Sequence, residues 1–346
     1  MGRRKNYTDE IIKVLVESLC RGEDLNIRQV NARVGGSYST ISDNILELAQ
    51  YGFVERKEPR TERGTRPYVK PKLRLPGLLY VIYKSLHGKL ALREKEECKI
   101  ILTAYREIQR FLNQKYEGLR EIFDADPLGK LCFKALRLLN GRGTPLSFQR
   151  LVMVSVADKV IGEYIDPEEP LILERFERIF RDESLICKAI LRGLKDAYKK
   201  LSFSFQTAED ELCLEAFSEA FNELADYEKK DVMAAFRCEY NSLINLIIRK
   251  MKIPRKVRRR FIHMRSKASL DQVVCLFECP KCNYRGPSIQ SVEEILSSYR
   301  VKCPMCGSRH KLVYLPRYVD KESVKLFLKW GEGYISRRLS SVGTDS

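Results

Sequence analysis

Histidine is scarce in this sequence: the 346 residues include only three, His87, His263 and His310, which lie far apart. Acidic residues with metal-binding spacing and a glycine-rich phosphate loop are also missing. A catalytic site needs several groups in a definite geometry, and residue types alone do not supply one. The sequence therefore predicts no enzyme, and a nuclease or strand-transfer recombinase is the weakest of the alternatives.

Long apolar runs are absent as well. The best candidate, residues 78–83, is followed at once by Lys84, whereas a membrane span needs about 20 apolar residues. Lys13 and Glu17 interrupt the only apolar stretch behind the N-terminal cations, so a signal peptide is not expected. These absences predict a cytoplasmic protein that makes no membrane contact.

Acidic residues do not occur between residues 251 and 267, although this segment is dense in cations. The cations are Lys252, Arg255, Lys256, Arg258, Arg259, Arg260, Arg265 and Lys267. Val257, Phe261 and Met264 recur at helical spacing, which predicts a helix that docks through them. A solvated linker helix is one interpretation. Contact with nucleic acid through Arg255, Arg258, Arg259 and Arg260 is the favoured one, because cations without counter-charges repel one another.

Positive charge is concentrated at the two ends of the chain. The net charge is +17, of which residues 1–80 carry +5 and residues 251–346 carry +12, while residues 81–250 are neutral. Basic ends on a neutral middle favour a polyanionic partner such as double-stranded DNA.

Cysteine is plentiful, with eleven residues, but no secretory signal accompanies it. A disulfide framework is therefore not expected. Seven cysteines lie among apolar neighbours and are interpreted as buried thiols that pack as small apolar groups. They are Cys20, Cys98, Cys132, Cys187, Cys213, Cys238 and Cys275.

The other four cysteines form two matched pairs, Cys279 with Cys282 and Cys303 with Cys306. Two residues between the members of a pair allow one tight turn to direct both sulfurs at a metal, and two such turns complete a tetrahedral shell. The pattern predicts one structural zinc ion and disfavours a redox dithiol. A closed shell leaves no position for a catalytic water, so the ion would hold the fold.

A helix, a glycine turn and a second helix are predicted near the N-terminus. Residues 26–30 begin an amphipathic segment, Gly35 and Gly36 end it, and residues 38–51 place Ile41, Ile45 and Leu48 on one helical stripe. Thr8, followed by two acids, would start a supporting helix ahead of them.

The second helix opens with small or polar side chains that can reach base edges in a major groove. They are Ser37, Tyr38, Ser39, Thr40, Asp43 and Asn44. A strand, a basic loop and a return strand follow, and we expect the cations of this hairpin to meet phosphates or a minor groove. They are Arg56, Lys57, Arg60, Arg63, Arg66, Lys70 and Lys72. The acids Asp43 and Glu47 would repel phosphate unless they face cytosine amino groups or the protein.

This layout, with Ser39-Thr40-Ile41-Ser42 and Gly52-Phe53-Val54-Glu55-Arg56 at its centre, resembles the winged helix-turn-helix families of bacterial and archaeal transcription regulators. The resemblance covers residues 8–74. It implies a DNA-reading helix with a basic wing, and paired half-sites would then require a homodimer. The alternative is a winged helix used only for protein contacts.

The predicted fold is mainly α and multidomain. We expect a winged helix at residues 1–76, an all-α domain at 77–250, a basic linker helix at 251–270, a zinc ribbon at 271–318 and a C-terminal helix and tail at 319–346. Helical stripes separated by proline- and glycine-containing loops support the helical middle. Nothing in that region identifies a chemistry, so dimerisation, effector binding and partner docking stay open.

The leading functional expectation is a sequence-specific, nucleoid-associated DNA-binding protein that regulates transcription. The runner-up is a basal transcription or nucleic-acid-processing factor that acts mainly through protein contacts, for example with RNA polymerase. A winged helix followed by a zinc ribbon is similar to the order in archaeal transcription factor E, although that family has no large helical body between the two.

Overall fold

The computed structural model describes residues 7–57, 69–162, 179–203, 208–250, 255–279, 281–298 and 300–311. Most of these residues are helical, and the strands form three small antiparallel hairpins. Several predictions fall outside this part of the chain and stay predictions. They concern Arg60, Arg63 and Arg66, and the C-terminal helix at residues 319–346.

The chain divides into two compact units, unit 1 with residues 1–122 and 152–193, and unit 2 with residues 123–151 and 194–346. The division falls inside the helical region that the sequence presents as one domain, 77–250. The sequence-based domain boundaries are not tested by this division and stay predictions. In the described residues, no helix combines the length and the apolar character that a membrane span requires.

The elements that begin in unit 1 are mostly helices around one short hairpin. In chain order they are α1 (Thr8–Arg21), α2 (Ile27–Val34), α3 (Tyr38–Gln50), β1 (Val54–Lys57), β2 (Lys70–Leu73), α4 (Leu75–Leu86), α5 (Glu94–Lys115), a 3₁₀ turn (Glu117–Leu119) and α6 (Arg120–Asp124).

Unit 2 also begins with helices, and its described part ends in two hairpins. The remaining elements, in chain order, are α7 (Pro127–Arg142), α8 (Leu146–Ala157) with a π-helical turn (Asp158–Gly162), α9 (Glu183–Phe203), α10 (Ala208–Asn222), α11 (Asp226–Lys250), α12 (Arg255–Lys267), β3 (Gln272–Glu278), β4 (Arg285–Ser291), α13 (Val292–Ser298), β5 (Arg300–Lys302) and β6 (Arg309–Lys311). Of these, unit 1 also includes the last part of α8, the π-helical turn and the first part of α9. The unit boundaries pass within α6, α8 and α9.

Helices α1, α2 and α3 pack on one another and on the β1–β2 hairpin. Ile41, Ile45 and Leu48, the stripe predicted for α3, are fully buried, as is Ile11 of α1. Burying each such side chain contributes about 1.5–3 kcal/mol. The stripe therefore fixes which face of α3 points inward.

The β1–β2 hairpin is anchored at its base. Val54 pairs with Leu73, and Lys57 pairs with Lys70 at the far end. Phe53, just before β1, is fully buried and meets the ring of Tyr80 edge-on at 5.5 Å. The strands are thus held against α4.

Two cations of the β1–β2 hairpin form ion pairs with a carboxylate of the same chain. Lys72 Nζ lies 2.9 Å and Lys70 Nζ 3.6 Å from the carboxylate of Asp24, in the loop between α1 and α2. The hydrogen bond from Lys72, together with the nearby charges, lowers the pKa of Asp24. Exposed pairs of this kind contribute little to stability, but they reduce the net charge of the hairpin.

In unit 2, the helices form a base on which the C-terminal hairpins rest. Helix α10 packs along α7, and Phe217 of α10 stacks on Tyr198 of α9 with ring centres 4.5 Å apart. Helix α13 in turn packs on α10 and α11. Ile295 and Leu296 of α13 are fully buried, so the hairpins and the helices share apolar core.

The segment Pro76-Gly77, which the sequence suggests is a break, lies inside the first turn of α4. Proline fits there because the first turn's N–H groups have no helical acceptor. Gly77 is required by packing: a Cβ at this position would lie 2.6 Å from the backbone oxygen of Phe53.

We expect Gly77→Ala to destabilise unit 1 by about 1–3 kcal/mol, because the added methyl group meets backbone, which cannot move aside cheaply. Denaturant unfolding measures the change. Gly118→Ala is the matched control, since its Cβ would meet nothing within 4 Å. Equal midpoints for Gly77→Ala and the wild type would contradict the close approach of α4 and Phe53.

Candidate metal centre and nucleic-acid surfaces

Four cysteine sulfurs converge at the end of the β3–β4 and β5–β6 hairpins. The sulfurs of Cys279, Cys282, Cys303 and Cys306 all lie within 4.8 Å of one another. The distance from Cys279 Sγ to Cys306 Sγ is 3.6 Å, and that from Cys282 Sγ to Cys303 Sγ is 3.5 Å. Both short contacts join one loop to the other.

These distances fit a tetrahedral metal site. A tetrahedron with metal–sulfur bonds of about 2.3 Å has edges of about 3.8 Å, close to the observed spacings. A disulfide needs about 2.05 Å, and all four cysteines are free thiols. The four cysteines could therefore bind one metal ion such as zinc, and the ion would supply a structural cross-link between the two hairpins.

The two cysteine loops have the same backbone pattern. In the first, the amide of Cys279 donates to the carbonyl of Tyr284 at 2.8 Å, and the amide of Asn283 donates to the carbonyl of Cys279 at 2.9 Å. In the second, Cys303 donates to Ser308 at 2.8 Å and Gly307 donates to Cys303 at 3.0 Å. Each loop is thus a closed turn.

The closing residue of each turn has a left-handed backbone. Gly307 has φ of 70° and Asn283 has φ of 55°. Glycine adopts this region freely, and asparagine tolerates it better than most residues. The position in the first loop that is equivalent to Gly307 is therefore Asn283.

Hydrogen bonds to sulfur favour thiolates at two of the four positions. Burial opposes ionisation of Cys279, but the amides of Cys282 and Lys281 and the Ser308 hydroxyl outweigh it and lower the pKa of Cys279 to about 5. The hydroxyl and amide of Ser308 also lower the pKa of Cys306. Ser308 serves both sulfurs, a role that no sequence motif indicated.

Cys282 behaves differently. The amide of Tyr284 favours its thiolate, yet burial and hydrogen bonds to the other sulfurs outweigh this and raise the pKa of Cys282 to about 12. Without a metal, the cluster thus keeps a proton on Cys282. A divalent cation would replace that proton.

Gln290 connects the two hairpins next to the cysteines. Its side-chain amide is buried, donates to the carbonyl of Lys302 at 2.9 Å and accepts from the amide of Lys302 at 2.9 Å. The side chain thereby acts like one residue of an extra strand beside β5. Because Lys302 directly precedes Cys303, this bond fixes the approach of the second cysteine loop.

The β3–β4 hairpin, next to the first cysteine loop, is also attached to helix α11. Cys275 of β3 is fully buried and hydrogen-bonded to Tyr240 of α11. Burial raises the pKa of Cys275 to about 12, so this thiol stays protonated and takes no part in the cluster. The interpretation as buried thiols is confirmed for Cys132, Cys187, Cys213 and Cys275, whereas Cys20 and Cys98 are half-buried and Cys238 is exposed.

The proposed base-reading residues lie at the start of α3. Ser37, Tyr38 and Ser39 are exposed, with 51% of Tyr38 accessible. Ser37 caps the helix: its hydroxyl accepts from the amide of Thr40 at 3.2 Å and lies 2.7 Å from the Thr40 hydroxyl. Ser37 and Thr40 therefore stabilise the start of the helix. The sequence alone did not distinguish this structural role from contact with DNA bases.

Asn44 is occupied inside the protein. Its amide nitrogen donates to the carbonyl of Thr40 at 2.8 Å, and its oxygen accepts from the amide of Tyr7 at 3.2 Å. The side chain thus links α3 to the residue before α1. Base contact by Asn44 stays a prediction and would require these bonds to be exchanged.

The basic segment forms helix α12, which packs on the β3–β4 hairpin. Phe261 is buried at 2% exposure, as the apolar stripe predicted. The candidate contacts Arg255, Arg258, Arg259 and Arg260 are all exposed. Helix α12 therefore presents a cationic surface on the same unit as the four cysteines.

Comparisons with protein-family models, with curated proteins and with solved structures returned no match.

We expect the purified chain to contain about one zinc ion, and Cys303→Ser to lose the ion and unfold unit 2 at lower temperature, because a three-thiolate shell holds zinc less tightly. Elemental analysis and thermal unfolding measure both. Cys238→Ser, which removes an exposed thiol of α11, is the control and keeps the ion. Full zinc content in Cys303→Ser would show that the cluster is not the site.

Proposed function

We propose that this protein binds double-stranded DNA and regulates transcription, with residues 8–74 acting as a winged helix and the four-cysteine module as a zinc ribbon. The observation that carries the proposal is the orientation of α3. Its apolar stripe is buried, while Tyr38 and Ser39 at its N-terminal end face solvent. A helix that displays polar side chains at its first turn can enter a major groove and approach base edges.

The cationic helix α12 supports the same proposal. Phosphate contacts provide most of the affinity of a DNA-binding protein, and base contacts provide the discrimination. In the proposed arrangement α12 would contribute affinity, while Tyr38 and Ser39 would contribute discrimination. Zinc would keep the hairpins beneath α12 folded.

We expect Tyr38→Ala and Ser39→Ala each to reduce discrimination between a selected duplex and a scrambled one, by about 1–3 kcal/mol at most, because each removes a base-edge contact. A duplex selected from a random pool, followed by fluorescence polarisation at several salt concentrations, measures this. Gln50→Ala, exposed at the far end of α3, is the control.

Two results would contradict the proposal. One is a wild-type chain whose duplex affinity is weak and insensitive to salt, since phosphate contacts release counterions and make binding salt-dependent. The other is equal loss of affinity for both duplexes in Tyr38→Ala, Ser39→Ala and Gln50→Ala, which would point to a general defect of α3.

A second candidate is a transcription factor that acts through protein contacts, and the composition of the exposed α3 face favours it. Asp43 and Glu47 are exposed on α3, and Leu46 between them is 41% accessible. Acidic and apolar side chains side by side suit a basic or mixed protein surface better than a phosphate backbone.

Glu47→Gln separates the two candidates. If α3 approaches DNA, removing this charge raises non-specific duplex affinity, by about fivefold or less, because a like charge at about 4 Å in water costs about 1 kcal/mol. If α3 docks on a partner, the variant leaves duplex binding unchanged and loses RNA polymerase in affinity purification. Gln50→Ala again serves as the control.

A further inference from the structure

Helix α12 has an inner and an outer face, and Phe261 identifies the inner one. Phe261 is buried against the hairpin. With 3.6 residues per turn, Lys256, Arg259 and Arg255 lie on the opposite side of the helix. All three are exposed. The outer face therefore presents three cations.

Arg260 lies on a flank of the helix and is engaged by the first cysteine loop. Its guanidinium carbon is 5.7 Å from the centre of the Tyr284 ring. Tyr284 is fixed in turn: its hydroxyl donates to the carbonyl of Pro287 at 2.5 Å, and its own carbonyl accepts from the amide of Cys279 at 2.8 Å. A guanidinium over an aromatic face is attracted to the ring quadrupole.

Arg265, four residues after Phe261, lies near the inner face of the helix. Its guanidinium donates to the side-chain oxygen of Asn245 in α11. Helix α12 is thus held by the first cysteine loop through Arg260 and by α11 through Arg265. From the sequence alone, Arg260 and Arg265 could not be distinguished from the other cations of this segment.

We propose that Arg255, Lys256 and Arg259 form a phosphate-contacting surface for duplex DNA, and that Arg260 and Arg265 are positioning residues that orient this surface. The proposal rests on the proposed function, since it needs a duplex partner. In this proposal the cations of α12 fall into two groups with different roles. The first cysteine loop then supports a helix that contacts DNA.

A nucleic acid fits this surface better than a membrane does. A helix that lies on a membrane inserts its apolar face among the lipids. In α12 the apolar Phe261 is buried by protein instead, and the side that faces solvent opposite it carries Lys256 and Arg259. Ile262 is an exposed apolar residue of α12, at 57%, but a single side chain is less than the apolar face that a membrane-bound helix inserts. A row of exposed cations matches a row of phosphates.

The test uses the full, zinc-loaded chain, a 20-base-pair duplex and fluorescence polarisation across a salt series. Lys256→Gln and Arg259→Gln should each weaken binding at low salt and reduce the salt slope by about one, as loss of a phosphate contact does. Arg300→Gln, which neutralises an exposed cation on β5, should leave the slope unchanged. Unchanged affinity and slope in Lys256→Gln and Arg259→Gln would overturn the phosphate-contacting surface.

The positioning role is tested with Tyr284→Leu and Arg260→Gln in a double-mutant cycle. Tyr284→Leu changes no charge and keeps the loop's backbone, and we expect it to weaken duplex binding about two- to fivefold. Arg260→Gln should weaken binding to the same extent, and the double variant no further. Amide exchange in α12 should rise in both variants while zinc content stays at one ion.

Additive losses with a slope decrease of about one in Arg260→Gln alone would make Arg260 a phosphate contact and overturn its positioning role. If Tyr284→Leu loses zinc, amide exchange in Arg260→Gln decides whether Arg260 positions the helix, because Arg260→Gln alters no residue of the first cysteine loop.

The two proposals can fail separately. A wild-type chain that binds duplex but ignores Arg259→Gln overturns this inference alone. A wild-type chain that binds no duplex overturns both the proposed function and the phosphate-contacting surface. Binding of anionic vesicles through Arg259, without binding of duplex, would likewise overturn both.

Discussion

Four cysteine sulfurs lie within 4.8 Å of one another, and negative charges at this spacing repel one another unless a cation lies between them. This constraint governs the C-terminal part of the described structure. The backbone turns direct amides at the sulfurs and so favour thiolates at Cys279 and Cys306, while Cys282 retains a proton. A metal ion would satisfy all four at once. In the described residues, the Gln290 bridge, the buried side chains of β3 and the packing of α13 on the helices hold the two hairpins, and a bound ion would add a cross-link between them.

The same constraint reaches α12 through Tyr284. This residue closes the first cysteine turn with its carbonyl and meets Arg260 with its ring. A change of conformation in the first cysteine loop would therefore act directly on the support of the basic helix. No long-range coupling is needed for this effect, because the first cysteine loop and α12 are in direct contact.

Sequence patterns predicted those parts of the structure that follow from local spacing. The paired cysteines predicted the cluster, and the stripe of Ile41, Ile45 and Leu48 predicted the buried face of α3. Pairings between distant residues were not predictable in this way. The bonds of Lys70 and Lys72 to Asp24, about fifty residues earlier in the chain, depend on tertiary structure, and so does the link from Asn44 to Tyr7. These bonds occupy side chains that the sequence predicted to contact DNA. The number of polar residues in a sequence motif is therefore larger than the number available to contact a ligand.

The acids on α3 limit how the proposed DNA binding can work. Like charges about 4 Å apart repel by about 1 kcal/mol in water, and salt screens interactions beyond about 10 Å. Asp43 and Glu47 therefore reduce non-specific affinity at α3 without excluding a duplex, and carboxylates can accept hydrogen bonds from cytosine amino groups. In the described strands of the hairpin, Lys70 and Lys72 are paired with Asp24. A further source of non-specific affinity is α12, which in the described residues has the densest exposed positive charge and no acid of its own. The proposed function would then divide the two tasks: a weakly charged helix would discriminate between sequences, and a strongly charged one would supply the attraction to phosphate.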